Sequence, residues 1–146
     1  MIPDPTSILT YDTQRILTRS AAGTYSQIED AKWADNLPKL MQARILQSFE
    51  NAHQLAAVSR PIEQLEGAYR LELNIRNFQI APQPSPTALV EFSARILDNK
   101  GNVVGARMFS AQAAAKSTQA PDAVAALDQA FTKTTQELVV WTVGVL

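Results

Sequence analysis

The sequence predicts an α/β fold, in which a single-domain sandwich spans residues 1–146. In this sandwich, two long amphipathic helices cover a mixed sheet of about five strands that ends in an antiparallel meander. Two observations support this prediction. Apolar residues recur with helical spacing in two separate segments, and they alternate with polar residues in others. The length of 146 residues suits one domain that folds without a metal or a disulfide.

Two helices are expected from their apolar stripes. The first begins near Pro38, which fits a first helical turn, and ends near His53. Its stripe consists of Leu37, Leu40, Met41, Ile45, Phe49 and Ala52. The second helix begins at Pro121 and runs to about Trp141. Its stripe consists of Val124, Leu127, Phe131, Thr134, Leu138 and Trp141.

The early strands are short and are predicted with less support. Residues 14–19 are expected to form a strand that Gly23 ends, and residues 24–33 are expected to be extended. The apolar run 55–58 is consistent with a buried parallel strand after the first helix. We expect the connection through that helix to be right-handed.

A longer strand is predicted from strict alternation after residue 68. Its apolar residues are Tyr69, Leu71, Leu73 and Ile75, and the intervening residues are polar. The alternation changes phase at Asn77, because Phe78 and Ile80 are the next apolar residues. This slip predicts a β-bulge or an exit from the sheet near Asn77.

The last two strands are expected to form a hairpin around the turn 99–102, where Gly101 can adopt a positive φ. If Asp98 pairs with Val103, one face of both strands becomes apolar. The facing pairs are then Phe92 with Phe109, Val90 with Ala111, and Ile96 with Gly105. Arg107 is the exception, because this register places it on the apolar face, opposite Ala94.

Composition and charge exclude several classes of function. The net charge of −1 provides no positive field for a polyphosphate, so a nucleic-acid partner is disfavoured. The absence of cysteine excludes thiolate catalysis and thiolate metal sites in this chain. Residues 1–5 carry no basic or apolar leader, so we expect no signal peptide in the sequence given, and no apolar stretch is long enough to span a bilayer.

No catalytic, cofactor or metal site is predicted. His53 is the single histidine, and we expect it to be structural, stabilised by the negative end of its helix. Glu63 and Glu66 have no nucleophile near them in the sequence, and no serine elbow or phosphate-binding glycine loop occurs. Trp33 is expected to fix the entry of the first helix against the body of the domain.

The ordered combination of segments resembles a known family. The residues that carry the resemblance are Tyr11, Asp12, Arg15, Ile16, Leu17 and Arg19; Trp33 to Asp35, Leu37, Pro38, Leu40 to Gln42 and Arg44; Phe49 to Asn51; Asn99 to Gly101; and Ala125 to Asp128, Ala130, Phe131, Glu137 and Leu138. Together they resemble the ABC-type transport auxiliary lipoproteins, which include the paraquat-inducible lipoprotein of the bacterial envelope. The resemblance extends from about residue 5 to residue 141.

The resemblance implies a non-catalytic lipoprotein of the periplasm, anchored to the outer membrane, with a three-layer α/β fold. Its implied partners are a mammalian-cell-entry (MCE) domain protein and an ABC permease and ATPase complex that move lipid. Direct lipid binding and a homo-oligomer are further partners that the resemblance allows. The sequence departs from the family in having no leader and no cysteine to carry a lipid, so the anchor is inferred.

Six residues are expected to contact a partner: two tyrosines, two arginines and two apolar residues that follow the phase change at Asn77. They are Tyr11, Arg15, Arg19, Tyr25, Phe78 and Ile80. The alternative is a small α/β hydrolase or transferase, which predicts a deep pocket lined by titratable groups such as His53. Nucleic-acid binding would need a basic stripe on one face of the sheet.

Overall fold

The structure, a computed structural model, contains the two predicted long helices and five strands. It describes residues 2–7, 11, 13–20, 23–33, 35–53, 67–82 and 84–146. The elements are β1 Arg15–Arg19, β2 Tyr25–Lys32, α1 Leu37–His53, β3 Arg70–Ala81, β4 Thr87–Leu97, β5 Val103–Ala114 and α2 Ala120–Val145. The strand predicted at 55–58 and the side chain of His53 lie outside the described part.

The five strands form one mixed sheet in the order β2-β1-β3-β4-β5. β1 is antiparallel to β2 and parallel to β3, where Leu17 pairs with Gln79. β3, β4 and β5 form the expected antiparallel meander. The chain start borders the first half of β3, because the Thr6 N–H donates to the Leu73 carbonyl over 2.8 Å. The α/β fold class with a mixed sheet is confirmed.

The phase change in β3 is a bulge, as predicted. Ile75 pairs with Phe92 and Asn77 pairs with Glu91, so Arg76 is the extra residue. Inserting one residue turns the following side chains by one position in the alternation. The later apolar residues of β3 therefore share a face with its earlier ones, and both sets are buried.

The β4–β5 hairpin has the predicted facing pairs, but its end differs from the prediction. Leu97, not Asp98, pairs with Val103, after an irregularity in the register. Asp98 is instead part of the turn, where its Oδ1 accepts hydrogen bonds from the N–H groups of Lys100 and Asn102, each over 2.9 Å. The bond from Asn102 is the main reason that the pKa of Asp98 is below its ordinary value.

Both helices lie on the same face of the sheet. Phe78, on the apolar face of β3, stacks edge-on with Phe131 of α2, and Arg44 of α1 forms an ion pair with Asp128 of α2. The opposite face carries half-buried and exposed polar side chains such as Asn74. The described residues thus form two layers, the sheet and the helices on one of its faces, and the three-layer arrangement implied by the resemblance stays an expectation.

The C-terminal end of α2 runs past the predicted residue 141 to Val145 because it packs closely on β5. A Cβ atom on Gly105 would lie 3.2 Å from Val145 Cγ1 and 3.3 Å from Trp141 Cζ2. Trp141 also contacts Phe109, with ring centroids 5.6 Å apart. Arg107 shares the face of Phe109 but remains exposed, and its guanidinium lies 4.9 Å from the Phe109 ring centroid.

Candidate functional site

A row of hydrogen-bonded side chains crosses the sheet face opposite the helices; we call it the tyrosine network. Gln79 alternates with Phe78 in β3, so it points away from the helices, yet it is 3% exposed. Its Oε1 accepts from Tyr11 Oη and from the Phe78 N–H. Its Nε2 donates to Asn77 Oδ1 over 3.2 Å, and Asn77 Nδ2 donates to Glu91 Oε1 over 2.9 Å. Every amide of the row thus has a partner.

The exposed end of the tyrosine network consists of Tyr25 and Arg19. Tyr25 Oη lies 3.2 Å from Tyr11 Oη and donates to it, since Tyr11 uses its own proton toward Gln79. The Arg19 guanidinium carbon lies 5.3 Å from the Tyr25 ring centroid. Burial, and then the hydrogen bond with Tyr25, raises the pKa of Tyr11 far above its ordinary value of 10. Tyr11 is therefore a neutral phenol that donates to Gln79 and accepts from Tyr25.

A cavity of about 390 Å³ lies between the two helices on the other side of the sheet; we call it the α1–α2 cavity. Its lining is mostly apolar and comes from both helices, from β3 and from Trp33. The lining residues are Trp33, Leu37, Leu40, Met41, Arg44, Phe78, Pro121, Val124, Ala125, Asp128 and Phe131. Three aromatic rings meet there, with Phe78 edge-on to both Trp33 and Phe131. Trp33 thus contacts the body as expected and also lines the cavity.

The two charged groups at the α1–α2 cavity neutralise each other. Arg44 Nη1 lies 2.5 Å from Asp128 Oδ1, and their side chains are 40% and 55% exposed. They therefore stand at the mouth of the cavity, where solvent reaches them. The Arg44 guanidinium carbon also lies 5.0 Å from the Phe131 ring centroid, which holds it against the apolar floor.

A second cavity, of about 440 Å³, lies on the open face near the chain start, and most of its lining residues are polar or charged. Among its lining residues, Glu72 Oε1 accepts from Arg95 Nη2 over 2.7 Å, and Glu72 Oε2 lies 3.6 Å from Arg70 Nε. Ser93 also lines this cavity, and no histidine occurs among its described lining residues. Within the part of the chain that is described, no group of three or more histidine, aspartate or glutamate residues could hold a metal ion.

Comparison with known proteins assigns the chain to a family. The family model of the ABC-type transport auxiliary lipoprotein component matches residues 4–139. The chain belongs to this family. The resemblance seen in the sequence is confirmed, and the family is described as an auxiliary lipoprotein component of ABC-type transport. Among the described residues, no helix has the length and apolar character needed to cross a membrane.

Two individual proteins match nearly the whole of this chain. An uncharacterized protein of Bradyrhizobium diazoefficiens is 37% identical over 142 residues, which are 97% of this chain but 38% of that protein. The chain therefore spans little more than a third of that relative. A crystal structure of a Xanthomonas campestris protein superposes with a TM-score of 0.86 at 28% identity, covering 99% of this chain and 82% of that one.

A more distant structure shares the fold alone. A hypothetical protein of Chlamydia trachomatis matches with a TM-score of 0.51 at 11% identity, covering 86% of this chain and 93% of that one.

In this family member, the six residues expected to contact a partner do not form one surface. Tyr11, Arg19 and Tyr25 lie together in or beside the tyrosine network. Arg15 is exposed at the other end of β1. The remaining two, Phe78 and Ile80, are 5% and 0% exposed, so they are core side chains beneath the helices. Tyr11 is also buried, which leaves Arg15, Arg19 and part of Tyr25 available to a partner.

Two groups of functional interest were not found from the sequence. The alternation of β3 predicts that Gln79 is an exposed polar residue. It is buried because Tyr11, which is far away in the chain, packs on it and donates a hydrogen bond to it. Arg44 and Asp128 each lie on the polar side of a helix, and nothing local predicts that they meet. The sequence identified part of the lining of the α1–α2 cavity, because Leu37, Leu40 and Val124 belong to the predicted apolar stripes. It did not show that these residues border a cavity between the helices.

Proposed function

We propose that this lipoprotein is a non-catalytic periplasmic component of an MCE-type lipid transport system. In this proposal the full-length protein is held at the outer membrane by its lipid anchor. There it docks on the MCE-domain protein and its ABC permease and ATPase, and guides lipid near that assembly. The observation that carries the proposal is the match of the auxiliary lipoprotein family to residues 4–139. The mouth of the α1–α2 cavity, where the charged groups are an arginine and an aspartate that pair, supports a binding role.

The docking surface in this proposal is the exposed end of the tyrosine network with the neighbouring part of β1. Arg19 is exposed beside the half-buried Tyr25, and Arg15 is exposed at the other end of β1. Arginine and tyrosine are enriched in the energetically dominant positions of protein interfaces. Tyr11 fixes the Tyr25 hydroxyl, so little side-chain freedom remains to be lost when a partner binds.

Co-purification of the lipidated full-length protein with its cognate MCE-domain protein tests this proposal. We expect wild type to retain that protein and Arg19→Ala to weaken the complex at least about tenfold, as for an interface hot spot. Arg107→Ala is the matched control, because Arg107 is also exposed over an aromatic ring, on β5 at the far edge of the sheet.

Two results would contradict the proposal. If the wild-type lipoprotein retains no MCE-domain protein, the assigned system is wrong. If Arg19→Ala and Arg107→Ala weaken retention equally, the docking surface is not the one proposed.

A further inference from the structure

We propose that the α1–α2 cavity binds the hydrocarbon chain of a single-chain zwitterionic lipid, a lysophospholipid with a phosphate and an ammonium group. This inference rests on the proposed lipid-transport role, for which it names a lipid class and a site. The cavity itself is a feature of the fold and is independent of any docking partner. Its lining, its volume and the charges at its mouth each restrict what it can hold.

The lining selects an apolar body. Met41, Phe78 and Phe131 form a buried floor, 1–5% exposed. The half-buried Trp33 and Leu40 form part of the wall. Water in such a space finds few hydrogen-bond partners, so replacing it with methylene groups is favourable. A sugar or a nucleotide would lose its own hydrogen bonds there without replacement.

The volume selects one chain. The cavity measures about 390 Å³, within the range of roughly 300–1,000 Å³ typical of small-molecule pockets. A methylene group needs slightly less room than a water molecule, whose share of the liquid is about 30 Å³. The cavity therefore accommodates roughly a dozen chain carbons. Two long acyl chains, as in a diacyl phospholipid, would exceed it.

The mouth selects the headgroup. Arg44 and Asp128 form an ion pair there, 2.5 Å apart and partly exposed. A phosphate that binds the Arg44 guanidinium releases the Asp128 carboxylate, and the ammonium of the same headgroup can bind that carboxylate. One ion pair is thus exchanged for two, and no charge is left unpaired. A fatty-acid carboxylate at Arg44 would instead place a second negative charge beside Asp128.

Tryptophan fluorescence tests the site because only one of the two tryptophans lines the cavity. Trp33 lies in the lining, whereas Trp141 packs on Phe109 over β5. In Trp141→Phe protein, lysophosphatidylethanolamine with a brominated chain, added below its micelle-forming concentration, should quench Trp33 saturably at one lipid per chain. In Trp33→Phe protein the remaining Trp141 should show no saturable quenching.

Two leucines of α1 give a matched pair of variants in the same Trp141→Phe background. Leu40 lines the cavity, and Leu46 is 38% exposed outside its lining. Leu40→Gln should weaken lipid binding at least about tenfold, because the chain would then meet an amide without a partner. Leu46→Gln should leave binding unchanged, and thermal unfolding of both variants checks that each is folded.

The outcomes are distinct. Saturable Trp33 quenching that Leu40→Gln weakens and Leu46→Gln preserves supports the site. The absence of saturable quenching, or equal quenching of Trp141, overturns it. A brominated fatty acid or bromoalkane that binds as tightly as the lysophospholipid overturns the headgroup assignment. If the Leu40→Gln protein no longer binds lipid but still co-purifies with the MCE-domain protein, the lipid site and the docking surface are separate. Quenching therefore tests the lipid site, and co-purification tests the docking proposal.

Discussion

The two ends of α2 pack against the rest of the domain in different ways. At the C-terminal end, Trp141 and Val145 approach β5 so closely that a Cβ atom on Gly105 would lie only 3.2 Å from Val145 and 3.3 Å from Trp141. At the N-terminal end, Val124 and Asp128 border the α1–α2 cavity. One continuous apolar stripe runs along both ends of α2. The difference in packing therefore arises from the elements that α2 faces, which are β5 at one end and α1 at the other.

The physical reason is the match between large and small residues. A large indole over a glycine fills the space between helix and sheet, as close packing requires. Between α1 and α2, no large side chain packs into a space left by a small one. The side chains of both helices border the aromatic floor of the cavity, and the helices are joined at its rim by an exposed ion pair. The tight end of α2 holds the fold together, and the loose end leaves room for a ligand.

The largest effect is expected from Phe109→Ala at the tight end. Phe109 is 1% exposed and contacts Phe92 and Trp141, each with ring centroids 5.6 Å apart. Removing the ring should lower the free energy of unfolding by about 3–5 kcal/mol in urea denaturation. Its neighbour Met108 is 49% exposed, and Met108→Ala should change the free energy of unfolding by less than about 0.5 kcal/mol. Similar losses for both variants would contradict close packing at this end.

A smaller loss is expected from Gly105→Val, also at the tight end. The new side chain would press on Val145 and Trp141, and such overpacking costs about 1–3 kcal/mol. Gly144→Ala is the control, since a Cβ there meets nothing within 4 Å and the residue is helical. It should stabilise the protein by up to about 1 kcal/mol. Adding Val145→Ala to Gly105→Val should recover part of the loss; if it recovers none, the clash lies elsewhere.

The smallest effect is expected from Val124→Leu at the loose end, and its sign is opposite. The added methylene enters the α1–α2 cavity, so we expect a gain of about 0.5–1 kcal/mol and a raised melting temperature. Val140→Leu is the control, because Val140 is 74% exposed on the same helix. The filled cavity should also bind the brominated lysophospholipid more weakly than wild type. A destabilised Val124→Leu protein would show that the loose end has no spare room.

Much of the sheet could be predicted because short-range periodicity determines it. The β3 bulge follows from a phase change within a few residues, and the pairing of Phe92 with Phe109 follows from two alternating strands joined by a short turn. The predicted pairing at the end of the hairpin was wrong because the backbone N–H and the carboxylate of Asp98 form hydrogen bonds within the turn. Side-chain hydrogen bonds of this kind compete with strand pairing and leave no mark on the alternation.

The candidate sites were harder to predict. Three of the expected contacts, Tyr11, Phe78 and Ile80, are buried, because apolar character near a phase change does not reveal which face a helix covers. Gln79 shows the converse, since a polar residue on the open face becomes buried when Tyr11 packs on it. Both outcomes depend on which distant segment covers which face, and periodicity carries no information about that.

By itself, the sequence determined the family, the α/β class, the two helix faces and the facing pairs of the last hairpin up to Ile96 and Gly105. The fold class, the helix faces and the hairpin pairs follow from residue patterns within single elements and their immediate neighbours, and the family follows from the ordered combination of segments along the chain. Only the tertiary structure decided that both helices share one face, that Arg44 meets Asp128 and that an apolar cavity remains between the helices. The distance between two packed helices depends on the combined volumes of side chains far apart in the chain, which no local pattern records.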